Sequence, residues 1–141
     1  MKRLAFIGVI ILVIIISITA YYRYNQPRQN VAAQDADVTM NATQLYQQYN
    51  EHEPEANKKY LDKIVEVKGK VSEVQNNNGL IVLLINAGNG MGGINCSMKD
   101  KSSVTNMQQV KDKEVVVKGK CTGFLMDVNL VDCVLIQPKI N

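Results

Sequence analysis

A chain of 141 residues with an ordinary apolar content, 46%, and a formal charge of +3 has room for one modest folded domain and excludes a large multidomain assembly. The positive excess comes entirely from Lys2, Arg3, Arg23 and Arg28. Beyond them twelve basic residues face thirteen acidic ones, so the charge gives no support to a nucleic-acid-binding body. Three cysteines without a Cys-x-x-Cys spacing exclude a thioredoxin-like redox motif.

Leu4 to Tyr22 (LAFIGVIILVIIISITAYY) is nineteen residues without a charge, a length that matches the roughly 30 Å hydrocarbon core of a bilayer. Lys2 and Arg3 precede it, Arg23 follows, and Tyr21, Tyr22 and Tyr24 gather at the far end, where amphipathic rings favour the interface. Residues 1–24 therefore read as an uncleaved signal anchor. A cleaved secretory signal fits less well, because its apolar stretch is shorter and the small-residue site expected after it is poor around Ser17 to Ala20. A lipid-anchored signal is excluded by the lack of a cysteine before Cys96. The balance of basic flanks places the amino terminus in the cytoplasm and the folded part outside, periplasmic or extracellular, in a compartment that permits disulfides.

Residues 25–37 (NQPRQNVAAQDAD) lack apolar periodicity and read as a flexible linker, so the folded body spans 38–141. Asn41 followed by Gln44 predicts a capped helix over about 42–50, with Leu45, Tyr46 and Tyr49 on one stripe. Pro54 suits the first turn of a second short helix carrying Ala56, Tyr60 and Leu61, or a kink in a single one. The period then changes to two. Val65, Val67 and Val71 point one way and Glu66, Lys68, Lys70 and Ser72 the other, which predicts a half-buried strand. An Asn-rich stretch ending in Asn78-Gly79 signals a hairpin into a second strand at 80–85. The glycine-rich 87–93 reads as a loop, 94–98 as a third strand, and 103–110 as a helix carrying Val104, Met107 and Val110. Strands over 114–122 and 128–136 complete the set. The segment VEVKGK at 65–70 recurs as VVVKGK at 115–120, and the mid-strand glycines Gly69 and Gly119 are candidates for barrel corners.

Three strands, a helix and two strands in this order predict a mainly β fold: a five-stranded OB-fold Greek-key barrel with a helix between strands three and four, preceded by short helices and a transmembrane segment. Ala56-Asn57-Lys58-Lys59-Tyr60, the strand VEVKGKV at 65–71, and GKCTG at 119–123 followed by Val131-Asp132-Cys133 resemble the tRNA_anti-like family over residues 40–138. The resemblance implies an OB-fold envelope protein, secreted or membrane-tethered, and implies no activity.

OB-folds commonly bind oligonucleotides or oligosaccharides across strands two and three, using aromatic platforms and a basic groove. Here Tyr46, Tyr49, Tyr60 and Phe124 are the only aromatics of the body, and Lys68, Lys70, Lys118 and Lys120 read as a solvated outer face. Asn86, Asn89 and Met91 border the usual binding face and are the candidate ligand contacts. Cys121 and Cys133, on successive strands, are the expected disulfide, leaving Cys96 a buried thiol; the other pairings stay open. His52 between Glu51 and Glu53 lacks the further ligands of a metal site, and no catalytic set or cofactor motif is assembled. The expectation is a non-enzymatic, membrane-anchored binding module for an envelope protein or small ligand. Single-stranded nucleic-acid binding is the alternative, and a thiol enzyme built on Cys96 is a third class.

Overall fold

The computed structural model describes residues 2–24, 31–77, 79–88, 92–99 and 109–136. It begins with helix α1 (Lys2–Tyr24), whose large apolar side chains from Ile11 to Ile18 are all about half exposed or more and point in every direction around the axis. Side chains are described from Ile11 onward, and among the described residues no helix is long and apolar enough to cross a membrane.

The body contains β1 (Val38–Asn41), α2 (Ala42–Tyr60), β2 (Ile64–Asn77), β3 (Leu80–Asn86), β4 (Gly93–Met98), β5 (Glu114–Leu125) and β6 (Asp127–Ile136). The ladder runs β2-β3-β4-β6-β5 and returns from β5 to β2, closing a five-stranded barrel. Its pairs are antiparallel except β4 with β6, and this strand order with one parallel seam is the OB-fold expected from the sequence.

Closure depends on β2, which serves two partners in succession. Its first half, 64–70, pairs with β5, and its second half, 71–77, pairs with β3, with a bulge between Val71 and Glu73. Gly69 sits just before the change of partner. A Cβ there would lie 2.5 Å from Ile85 Cγ2 and 2.9 Å from Ala42 Cβ, so the missing side chain is what lets β3 and α2 close over the bend. At the β2–β3 turn Asn77 pairs with Leu80, and Gly79 adopts φ 86 while its N–H donates to Asn76 Oδ1 at 3.1 Å. Gly79 with its positive φ thus lies in the hairpin between β2 and β3 that the sequence signals.

The alternating valines fill the barrel: Val65, Val67, Val71, Leu83, Ile85, Ile94, Val117, Val128 and Leu130 have no exposed surface. One end is stoppered by α2, whose Leu45, Tyr46, Tyr49, Ala56 and Tyr60 join the same core. Two helical segments meet in α2 at a kink where His52 leaves helical geometry (φ −144, ψ 65), because Pro54 two residues later lacks the N–H and crowds the preceding turn. The predicted helix at 103–110 falls largely outside the described residues.

Two features were not anticipated. A sixth strand, β1, lies parallel to β2 with Val38 beside Val65. The stretch 31–37, within the segment expected to be a flexible linker, is fastened to the barrel. Val31 is fully buried, Lys118 Nζ donates to Gln34 O at 2.6 Å and to Ala32 O at 3.4 Å, and Asp37 exchanges two 2.8 Å hydrogen bonds with the backbone of Ile64.

Candidate functional site

A cleft of about 510 Å³ opens where the first turn of α2 meets the outer edge of β2, lined by Asn41, Ala42, Thr43, Gln44, Lys68, Gly69, Lys70, Asn86, Gly88 and Glu114. Local chemistry sets its floor. Gln44 Oε1 accepts from Asn41 N at 3.4 Å, which starts the helix there, and Gly69, with no Cβ, lets Ala42 pack closely against β2 beside the cleft. Gly88 adopts φ 90 and donates its N–H to Asn86 Oδ1 at 2.6 Å, so the chain leaving β3 folds over the rim. Of the three ligand contacts expected from the sequence, Asn86 lies in this cleft, and Asn89 and Met91 lie outside the described residues. Sequence reasoning missed Thr43, Lys68 and Lys70 as its neighbours, because nothing local shows that the start of α2 crosses beside β2.

The four lysines that the repeat places on β2 and β5 are each engaged. Lys68 pairs with Glu114 at 3.3 Å, Lys70 with Asp112 at 3.8 Å and Lys120 with Asp62 at 2.9 Å. Lys118, expected on the solvated outer face, is instead 9% exposed and spends its ammonium on the backbone of 32–34. Its stem points outward from the barrel, but the docked segment covers it. The strip is thus largely neutralised where a phosphate backbone would need free charge.

The aromatic residues are also occupied. Phe124 stacks on Tyr49 at 5.8 Å and meets Tyr46 edge-on at 5.8 Å, and Tyr49 lies 6.1 Å from Tyr60. Tyr60 donates to Gln48 Oε1 at 2.6 Å. These rings join the stopper to the barrel, and their faces are turned inward instead of toward a base.

All three cysteines are buried free thiols, so the expected Cys121–Cys133 disulfide is not formed. The Cys121 sulfur is in a 3.2 Å hydrogen bond with the Tyr49 hydroxyl, and the Cys96 thiol donates to the Ile94 carbonyl at 3.9 Å. Burial, reinforced by the contact with Cys121, holds the Tyr49 phenol above its ordinary range. Burial, followed by the Cys96 contact, raises the Cys133 thiol well above its ordinary value. His52 lies at the kink in a shallow depression with Gln48, Glu51, Glu55, Ala56 and Lys59, and no metal-binding group is assembled among the described residues.

Comparison with solved structures finds this architecture in a lipoprotein of Klebsiella pneumoniae subsp. pneumoniae provisionally assigned to nucleic-acid binding. The TM-score is 0.60 at 16% identity, covering 79% of this chain and all of that one. More distant likenesses are to the Schizosaccharomyces pombe Stn1-Ten1 complex (TM-score 0.41, 18% identity, 53% of this chain and 59% of that chain) and a Leishmania major protein provisionally assigned as an aspartyl-tRNA synthetase (0.42, 12%, 88% and 26%). A search of curated proteins gives no significant match. The family model for tRNA_anti-like proteins matches residues 1–135. With the barrel order in place and nearly the whole chain matched, this protein belongs to the tRNA_anti-like family.

Proposed function

We propose that the protein is a membrane-tethered, non-enzymatic OB-fold binding module whose body lies outside the cytoplasm and takes an envelope protein or small polar ligand at the cleft beside α2. The observation that carries the tether is α1. A helix presenting Ile11, Leu12, Val13, Ile14, Ile15 and Ile16 in unbroken succession has an apolar surface on all sides, and water tolerates no such helix outside a core or a bilayer. Because 31–37 is docked on the barrel, only six positions separate it from the end of α1, a number of residues that can span at most ~20 Å. The body is then held close to the membrane surface instead of ranging over it.

Neutralised lysines and inward-facing aromatics support a ligand other than nucleic acid. The provisional assignment of the similar lipoprotein supports the second reading, an oligonucleotide-binding module. The test is titration of the detergent-solubilised protein with single-stranded oligonucleotides at about 50 mM salt, where electrostatic binding is strong. No binding is expected, and a salt-dependent complex would install the second reading. Protease added to spheroplasts, whose outer layers are removed and whose cytoplasmic membrane is intact, should remove the body and leave the α1 fragment in the membrane fraction. A body protected from outside protease, or α1 recovered in the soluble fraction, would overturn the topology.

A further inference from the structure

The turn between β5 and β6 is tight: Leu125 pairs with Asp127, and Met126 stands between them at φ 66. Glycine, asparagine or aspartate suit that left-handed geometry, so the turn itself gives no reason for a long apolar side chain. Leu125 and Met126 are 83% and 85% exposed and add nothing to the core. Leu61, also exposed, follows the end of α2, and its Cδ1 lies 3.7 Å from where a Cβ on Gly123 would be, two residues before Leu125. The other exposed large apolar side chain described in the body, Leu80, belongs to the β2–β3 turn at the far end of β2. Lysines flank the tip. Lys58 and Lys59 close the last turn of α2, and Lys63 follows Leu61 by two positions; all three are exposed. The nearby carboxylates are engaged, Asp62 with Lys120 and Asp127 with the N–H of Gly93 at 2.7 Å. Beyond residue 28 the chain has twelve basic and thirteen acidic residues, so this cationic gathering is local.

We propose that Leu61, Leu125 and Met126 form a second membrane contact, entering the headgroup boundary of an anionic bilayer while Lys58, Lys59 and Lys63 meet its lipid phosphates. The proposal rests on the reading of α1 as a membrane anchor, and that anchor is the reason to name a bilayer as the occupant. Residues 31–37 lead into this end of the barrel, since Asp37 is bonded to the backbone of Ile64, three residues after Leu61. Six positions separate that docked segment from the end of α1, a span of at most ~20 Å, which keeps this end of the body within reach of the lipid. A few apolar side chains bind a free protein to a bilayer only weakly, but a short tether raises the effective concentration of the surface and makes a weak contact sufficient. Each lysine beside anionic headgroups adds an attraction that salt screens. The contact orients the body. Leu125 ends β5 and Glu114 begins it, so with the tip on the lipid the cleft lined by Glu114, Lys68 and Lys70 opens away from the membrane.

The chain has no tryptophan, so Leu125→Trp places a single fluorescent reporter in the tip and Leu80→Trp places one at the far hairpin. Both full-length variants are reconstituted into phosphatidylcholine vesicles with and without phosphatidylglycerol, with bromine on the acyl chains as a contact quencher. In anionic vesicles the reporter at position 125 should lose most of its emission, more with bromine near the headgroups than near the chain ends, and the reporter at position 80 should keep its own. The loss should shrink without phosphatidylglycerol and at about 1 M salt, where the Debye length is ~3 Å. Met126→Asn suits the left-handed turn and so preserves the fold, and added to Leu125→Trp it should restore much of the lost emission. No quenching at position 125, or equal quenching at both positions, would overturn the contact. So would a blue shift at position 125 that bromine leaves unquenched, which would mean that protein, such as a second copy of the chain, covers the tip. Alkaline carbonate extraction of the same vesicles reads the anchor separately: extracted protein would overturn the reading of α1, while quenching at position 125 still decides the tip.

Discussion

The two near-copies VEVKGKV (65–71) and VVVKGKC (115–121) lie side by side in opposite directions, with Val67 opposite Val117 and each glycine opposite the other copy's first valine. Near-identical sequence in one paired ladder nevertheless meets different surroundings. Gly69 admits Ile85 and Ala42 where β2 changes partner, whereas Gly119 admits a sulfur. Lys68 stands in solvent beside Glu114, whereas Lys118 is buried under residues 32–34. Val71 ends the first copy as plain hydrocarbon, and Cys121 ends the second as the partner of Tyr49. Local sequence sets the strand and its inward face, and the neighbouring elements set what each position does.

The glycines offer the hardest test. In Gly69→Ala the new methyl meets Ile85 Cγ2 at 2.5 Å and Ala42 Cβ at 2.9 Å, both on short stems with little freedom. A loss of about 3 kcal/mol in urea denaturation is expected. In Gly119→Ala the nearest atom is a sulfur that one rotation moves, with Leu130 Cβ next at 3.1 Å, so about 1.5 kcal/mol is expected. Combining it with Cys133→Ala should recover part of that loss. Equal losses at the two glycines would mean that both serve backbone curvature and not the neighbours named.

The lysines follow. Lys118→Met keeps the stem and removes two bonds from a buried ammonium to backbone carbonyls, for about 2 kcal/mol. Hydrogen exchange in 31–37 should accelerate at the same time. Lys68→Met breaks a pair whose side chains are 53% and 65% exposed, and it should cost under about 0.5 kcal/mol and leave 31–37 unchanged. Acceleration in both variants would show that the segment is held by the barrel's general stability and not by Lys118.

Sequence alone could reach the barrel because its signals are local: alternation in β2, Asn-Gly at the first hairpin, and strand order. It reached α2 through Asn41 and Gln44, and Pro54 announced the kink. What escaped is long-range. β1 has four residues and finds its partner twenty-seven positions away, Val38 against Val65. Lys118 reads as an outer-face residue because its alternation is that of one; only the docked 31–37 covers it. The burial of Cys133 escaped too: the alternation of β6 carries no sign of the Asp132 bulge that turns it inward. Asn86 was legible as a loop-bordering polar residue, whereas its cleft partners come from α2 and β2.

The last position of each copy gives a smaller effect. Cys121→Val makes the second copy end like the first and leaves the Tyr49 hydroxyl, in a ring 1% exposed, without its sulfur partner. The expected loss is about 1 kcal/mol, and Tyr49→Phe in that background should return most of it, because removing both polar partners is nearly neutral. A loss that Tyr49→Phe does not relieve would assign the cost to packing around Cys121 and not to the bond.

The pH dependence separates the two sulfur environments of the second copy. Burial raises both the Tyr49 phenol, ordinarily 10.0, and the Cys133 thiol, ordinarily 9.0. In the reduced protein the folded state therefore keeps protons that the unfolded chain releases. Their contribution to stability is constant below pH 9 and is lost as pH rises beyond the unfolded values, first through Cys133 and then through Tyr49. Cys133→Ala should flatten the pH 9 to 10 interval, and Tyr49→Phe should flatten only the region above 10. If Cys133→Ala keeps the fall that begins at pH 9, that fall belongs to a group other than Cys133.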